Sequence, residues 1–195
     1  MIDFGYGITL DTLDRAPQAR EWRNQKAVYD NCRQVGLISE KDQANWLANG
    51  DTKHLFAVMN ETESVPDYST NFMPAYKLVP RCIGVAGLCS VHPFHRTAEI
   101  SLYIAKEYHG NVPTGTAKAI LKTIAAYAFE DLNLNRIFGE TFYTNTIELL
   151  NLQQLGFITE GTLRQTYYKN GQYIDSVIQS LLRSDYDKLK ESWKC

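Results

Sequence analysis

The chain has 195 residues, 44% of them hydrophobic and 22% charged, with a formal net charge of −2. That length can bury one full core, and a nearly balanced charge gives no general attraction to nucleic acid or to an anionic membrane surface. No stretch reaches the roughly 20 apolar residues of a membrane span, no charged-then-apolar leader opens the chain, and Cys32, Cys82, Cys89 and Cys195 show no CxxC spacing. The expectation is therefore a cytoplasmic protein with reduced thiols and no metal.

In chain order, residues 7–13 alternate as a first strand, and residues 19–35 carry Trp22, Val28, Tyr29 and Cys32 at helical spacing. Ser39 and Asp42 form a capping box for a short helix bearing Trp46 and Leu47. Residues 55–60 read as a strand. Residues 61–80, polar and broken by Pro66, Pro74 and Pro80, read as a long loop or an insertion into a hairpin. CIGVAGLCSV and AEISLYI then form an antiparallel pair joined by the HPFHRT turn, and residues 107–120 follow as a loop rich in glycine, proline and threonine. Ala117, Ile120, Leu121, Ile124, Ala128 and Leu132 share one face of a helix that ends near Asn133. RIFGETFY is a strand, NTIELLNLQQLGF a short helix closed by Gly156, and Asn170-Gly171 a two-residue hairpin turn that demands positive φ at both positions. These elements predict an α+β domain with a mainly antiparallel sheet.

The loop at 107–120 admits three readings. Gly110 and Gly115 have P-loop spacing, but Thr116 and Ala117 stand where that motif needs lysine and Ser/Thr. A plain strand-to-helix turn is the second. The third is an anion cradle: a helix N-terminus presents free backbone N–H groups to a diphosphate, with Gly115 and Ala117 keeping side chains clear, Thr114 or Thr116 adding a hydroxyl, and Lys118 lending charge.

The order strand, loop, helix, LNLNRIFGETFYTN, short helix, QQLGF, EGTLR resembles the GNAT superfamily of N-acetyltransferases over most of the chain. The resemblance implies one GNAT-like domain over 1–195, with a mixed, mainly antiparallel sheet of about seven strands flanked by about four helices. It implies acetyl-CoA as co-substrate, its pyrophosphate at Val112, Gly115 and Ala117, and its pantetheine arm on Asn145. Val112 stands where Gln or Arg is usual, Pro113 replaces a frequent glycine, and Leu152 occupies the place of a tyrosine often used as general acid. EWRN at Glu21 to Asn24 and LISEKDQANWL ending in Leu47 resemble the subgroup that includes ribosomal-protein N-terminal acetyltransferases and aminosugar-nucleotide N-acetyltransferases, and within it Trp22, Arg23, Asn24 and Trp46 lean toward the aminosugar enzymes.

Acetyl transfer from a thioester to an amine needs a base, an oxyanion donor and a departing thiolate. An aliphatic amine titrates near pH ~10 and a thiol near ~8.5, so a missing base hurts more than a missing acid. Glu140, five residues before Asn145, is the expected base, with Glu99 in reserve. Tyr143 is a substitute proton donor, and a backbone N–H among Tyr103, Ile104 and Ala105 the expected oxyanion donor. His92, His95 and Arg96 are expected to face the acceptor. The acceptor is expected to be a small amine, with an aminosugar nucleotide as one form. The alternatives are a protein N-terminus, and a domain that is non-catalytic or uses another donor. A homodimer remains open.

Overall fold

The chain's alternating and helical stretches become a single sheet with helices on both faces in the computed structural model, which describes residues 2–3, 8–48, 53–67, 75–112 and 114–193. The strands are β1 (Ile2–Asp3), β2 (Ile8–Thr12), β3 (His54–Asp67), β4 (Ala75–His92), β5 (Thr97–Ile104), β6 (Arg136–Phe142), β7 (Ile158–Lys169) and β8 (Gln172–Leu182). They lie in the order β1-β2-β3-β4-β5-β6-β8-β7, and every neighbouring pair is antiparallel except β5 and β6. The sheet thus has eight strands with the two-residue β1 counted, and seven without it.

Helices α1 (Ala19–Asn24) and α2 (Lys26–Tyr29) replace the single helix expected over 19–35. The break falls at Gln25, which is extended (ψ 136°) because its side chain is tied far away, accepting from the Lys106 amide and donating to Glu107. Helix α3 (Glu40–Ala48) starts as expected, with Ser39 Oγ accepting from the Asp42 amide at 3.1 Å and Asp42 Oδ2 accepting from the Ser39 amide at 3.3 Å.

Of the two readings of 61–80, the insertion into a hairpin holds for the described residues: β3 and β4 continue there as a two-stranded ribbon, paired from Glu63↔Val79 to Asp67↔Ala75. β2 pairs with β3 no further than Asn60, so the ribbon side of β3 is a free edge, where Pro66 removes no ladder bond. The ribbon tip, including Pro74, lies outside the described residues, as do Gly7, Pro113 and Cys195.

Helix α4 (Thr116–Ala126) lays Ile120, Leu121, Ile124 and Ala125 on one face of the sheet against Ile83, Ala86, Leu88, Ile100 and Ile137. The other face holds a smaller core in which α1 contributes Ala19 and Trp22 against Ala57, Met59 and Val85. A π-helical turn, Tyr127–Asp131, prolongs α4, and Asn133 at φ 51° ends it. Helix α5 (Thr146–Gln154) closes at Gly156 (φ 87°), and Asn170 (φ 51°) with Gly171 (φ 81°) makes the expected hairpin turn. Helix α6 (Arg183–Trp193), which carries no clear sequence signal, seats Tyr186 against Phe129, while Arg183 donates to the carbonyls of Phe129 and Leu134 at the end of the α4 segment. No described helix is long and apolar enough to cross a membrane.

Gly84 on β4 marks a close approach, since a Cβ there would lie 2.3 Å from the Tyr103 carbonyl oxygen on β5. Backbone cannot retreat as a side-chain tip can, so Gly84→Ala is expected to lower stability by about 1–3 kcal/mol. Urea unfolding checks this, and an unchanged midpoint would show that β4 and β5 can part without loss.

Candidate active site

β5 and β6 pair in parallel at only three positions, Thr97↔Arg136, Ala98↔Ile137 and Glu99↔Phe138. Beyond them the strands diverge around a cleft of about 570 Å³. Residues 99–104 of β5 and 139–141 of β6 form two walls, α5 supplies a third through Ile147, Glu148 and Leu152, and parts of the 23–34 segment close the fourth.

The divergence frees backbone groups. The Ala105 amide donates to Ile83 O on β4 at 2.9 Å. Alternation along the strand therefore turns the Tyr103 amide to β4 as well, and the Leu102 and Ile104 amides toward the cleft. His109 Nε2 donates to the Ile104 carbonyl at 2.9 Å, in keeping with that direction. Of the three expected oxyanion donors, only Ile104 has an amide facing the cleft.

Glu140 and Glu99 meet at the cleft through Arg33. Its Nη1 donates to Glu140 Oε2 at 2.7 Å, and its Nη2 is paired with Glu99. Glu140 Oε1 also accepts from the buried Ser176 hydroxyl at 2.6 Å, and the Tyr167 hydroxyl bonds to Arg33 and Glu140. Burial pushes the Glu99 pKa up, Arg33 pulls it back, and the nearby Glu140 charge raises it again, with a net upward shift. Burial likewise keeps the protons on the Cys32 thiol and the Tyr103 hydroxyl, so neither is an ionised nucleophile at neutral pH. Cys32, Cys82 and Cys89 are free thiols.

Arg33 is itself held from a distance. Lys169, buried at the end of β7, donates to the carbonyls of Tyr29, Cys32 and Gln34 and lies 3.7 Å from the Tyr29 ring centroid. Asn170 adds a bond to Asp30. The hairpin end thus gathers carbonyls from the end of α2 and the segment after it, and sets the backbone on either side of Arg33.

Away from the residues that line the cleft, Gly115 caps α4 at φ 93°, and a Cβ there would meet nothing within 4 Å. The first turn of α4 holds no acidic residue, and Thr114 is exposed while Thr116 is buried. Ala117 follows in the same turn, and Lys118 reaches Gln154 Oε1 on α5 at 2.9 Å. Val112 turns inward against the core and leaves this corner open. Asn145 caps α5, its Oδ1 accepting from the Glu148 amide at 3.4 Å, and its side chain lines the cleft.

Three expectations fall elsewhere. Tyr143 is 63% exposed and does not line the cleft, because its backbone pairs outward with Asp175. His92, His95 and Arg96 sit at the β4–β5 turn, at the far end of β5 from the cleft, where the two histidine rings stack at 4.2 Å. Trp22 is a core residue whose Nε1 donates to Glu107, and Trp46 is covered by Arg23 and Lys53.

Arg33, Lys169 and Glu148 belong to the site or its support and had no sequence signal of that role. Glu148 stands at Asn-x-x-Glu spacing, which reads as a reciprocal helix cap. The Asn145 amide is taken by Phe142 O, however, so the Glu148 carboxylate is left to the cleft, and burial pushes its pKa up to about 7. Among the described residues no group of His, Cys, Asp or Glu could hold a metal ion.

Residues 17–178 match the family model described as "Acetyltransferase (GNAT) domain". YdaF of Bacillus subtilis, whose name provisionally calls it a ribosomal N-acetyltransferase, is 34% identical over 159 residues, 77% of this chain and 85% of that protein. Spermidine N(1)-acetyltransferase of Vibrio cholerae is 31% identical over 104 residues, 53% of this chain and 58% of that one. The crystal structure of the Vibrio cholerae spermidine N-acetyltransferase in complex with CoA and spermine superposes with a TM-score of 0.75 at 22% identity, over 92% of this chain and 98% of that one.

The Arg33 clamp has a measurable signature. Arg33→Met removes the cation from Glu99 and Glu140, and a carboxylate without its cation keeps its proton to higher pH. The Glu99 pKa is therefore expected to rise further. Carbon-13 NMR titration of the glutamate side chains reads it, and an unmoved midpoint would show that Arg33 does not govern the pair.

Proposed function

This chain belongs to the GNAT acetyltransferase family, and on that premise we propose that its acceptor is an amine carrying further positive charge, of the polyamine kind. The family makes it an acyl-CoA-dependent N-acyltransferase with acetyl-CoA as co-substrate and an amine as acceptor. The observation that carries the finer reading is the charge of the cleft, where Asp30, Glu99 and Glu140 stand against Arg23 and Arg33. A unit charge about 4 Å from another is worth about 4 kcal/mol at an effective dielectric near 20. That term favours a cationic chain and opposes the diphosphate of an aminosugar nucleotide. The spermidine N-acetyltransferase names of several relatives point the same way.

In this reading the open first turn of α4, at Gly115, Thr116, Ala117 and Lys118, receives the CoA pyrophosphate, and Asn145 steadies the pantetheine arm. The Ile104 amide donates to the oxyanion. Glu140 takes the proton from the attacking amine, with Glu99 beside it, and such a positioned base contributes about 10² to 10⁴ in rate. Arg33 occupies the two carboxylates until an acceptor cation displaces it. Val112 supplies no polar contact to phosphate, so the backbone amides and Lys118 carry that load. A protein N-terminus remains the second reading, because YdaF matches over the greater length.

Thiol release from acetyl-CoA separates these acceptors. With spermidine, an aminosugar nucleotide and a basic N-terminal peptide in parallel, kcat/KM is expected to favour spermidine about tenfold or more. A preference for the nucleotide would overturn the charge argument. Glu140→Gln is expected to lower kcat by on the order of 10²-fold while acetyl-CoA still raises the melting temperature by mass action. Undiminished turnover would pass the role to Glu99.

A further inference from the structure

Collapse of the tetrahedral intermediate breaks the carbon–sulfur bond and leaves its electron pair on sulfur, where a proton must follow. A side-chain donor has to come from a wall of the cleft that faces the thioester. On the acetyl-transfer reading, the CoA arm would pass between β5 and α5, with the thioester near the Glu99–Glu140 pair. Of the α5 side chains on that wall, Ile147 and Leu152 have no proton to give. Leu152 is also packed into the core at 1% exposure. Glu148, one helical turn before Leu152 on the same face, is the exception.

Its surroundings separate Glu148 from the other two glutamates of the cleft. Glu99 and Glu140 are both ion-paired with Arg33. Glu148 makes no hydrogen bond or ion pair through its carboxyl to any described residue. Its own amide is held by Asn145, and the Asn145 amide that it would otherwise cap is held by Phe142 O. The backbone is therefore fixed at the helix start while the carboxyl projects, half-buried and unpartnered, into the cleft.

We propose that Glu148 is the general acid of the reaction, giving its proton to the departing CoA sulfur. This rests on the acetyl-transfer reading above. The balance closes with the groups present. The ammonium acceptor loses one proton to become a nucleophilic amine and a second on forming the amide. Glu148–COOH supplies one to sulfur, giving free CoA thiol, and the carboxylate recovers it from those released, so the cycle yields one net proton. Burial keeps the Glu148 carboxyl protonated in a large fraction of molecules near pH 7, as an acid needs.

The test compares wild type, Glu148→Gln and Glu148→Ala with acetyl-CoA and an accepted amine. Both variants are expected to lose about tenfold or more in kcat, with the acetyl-CoA dissociation constant by calorimetry unchanged within about twofold. Formate is expected to restore part of the lost kcat of Glu148→Ala, because a small acid can enter the space left behind. Glu148→Gln is expected to melt no lower than wild type at pH 8, since it removes a charge that burial disfavours. A kcat within twofold of wild type overturns the proposal. So does a kcat loss that follows a matching loss of CoA affinity or of melting temperature, which would make Glu148 structural. A wild type that transfers to no amine fails in the first control and takes down the acetyl-transfer reading itself.

Discussion

Everything in the site depends on the failure of β5 and β6 to stay paired. Each strand is satisfied on its outer side, β5 by β4 and β6 by β8, which pairs with it along its full length from Arg136 to Phe142. Only the inner ladder is lost after Glu99 and Phe138, and it is lost on both strands together. An open seam in the middle of a sheet would ordinarily be a liability, because backbone donors there have no partner. Here the seam is the place where a flat, amide-bearing arm can lie between strands. Helix α5, which starts beside it, brings its N-terminal turn to the same gap.

The seam also sorts three glutamates by their partners. Glu99 and Glu140 lie on opposite sides of it and would repel one another without Arg33, whose planar fork can serve two carboxylates at once. Glu148, on the third wall, has only desolvation acting on it. Groups of one chemical type are thus driven apart in proton affinity by what stands next to them, which is how a single cleft can accept a proton at one point and release one at another.

Much of this architecture is legible in the residues. The Asn170-Gly171 turn, the Ser39–Asp42 cap and the α4 stripe are local patterns whose physical causes lie within a few positions, and each is observed where the pattern places it. Glu99 and Glu140 can be proposed from strand position alone. Arg33 cannot, because nothing in Asn31-Cys32-Arg33-Gln34 indicates that it reaches two strands lying 66 and 107 positions away. The three prolines of 61–80 leave a loop and an insertion into a hairpin both open, and only the pairing selects the hairpin and shows that Pro66 falls on a free edge. The break at Gln25 has the same origin, a tie to Lys106 and Glu107 that no window of the sequence contains.

The Lys169 staple bears on how the molecule is built in time. Its bonds to Tyr29 and Cys32 span 140 and 137 positions, so the acceptor end of the cleft joins the two most distant thirds of the chain. Contacts of such separation form late, after the loops between them have been closed. A ribosome releasing this chain has to deliver the C-terminal hairpin before Arg33 can be set between its carboxylates. A nascent chain that has completed β1 through α5 already owns every glutamate of the reaction, yet it lacks the lysine that anchors the guanidinium. The setting of Arg33 therefore waits on the hairpin that carries Lys169.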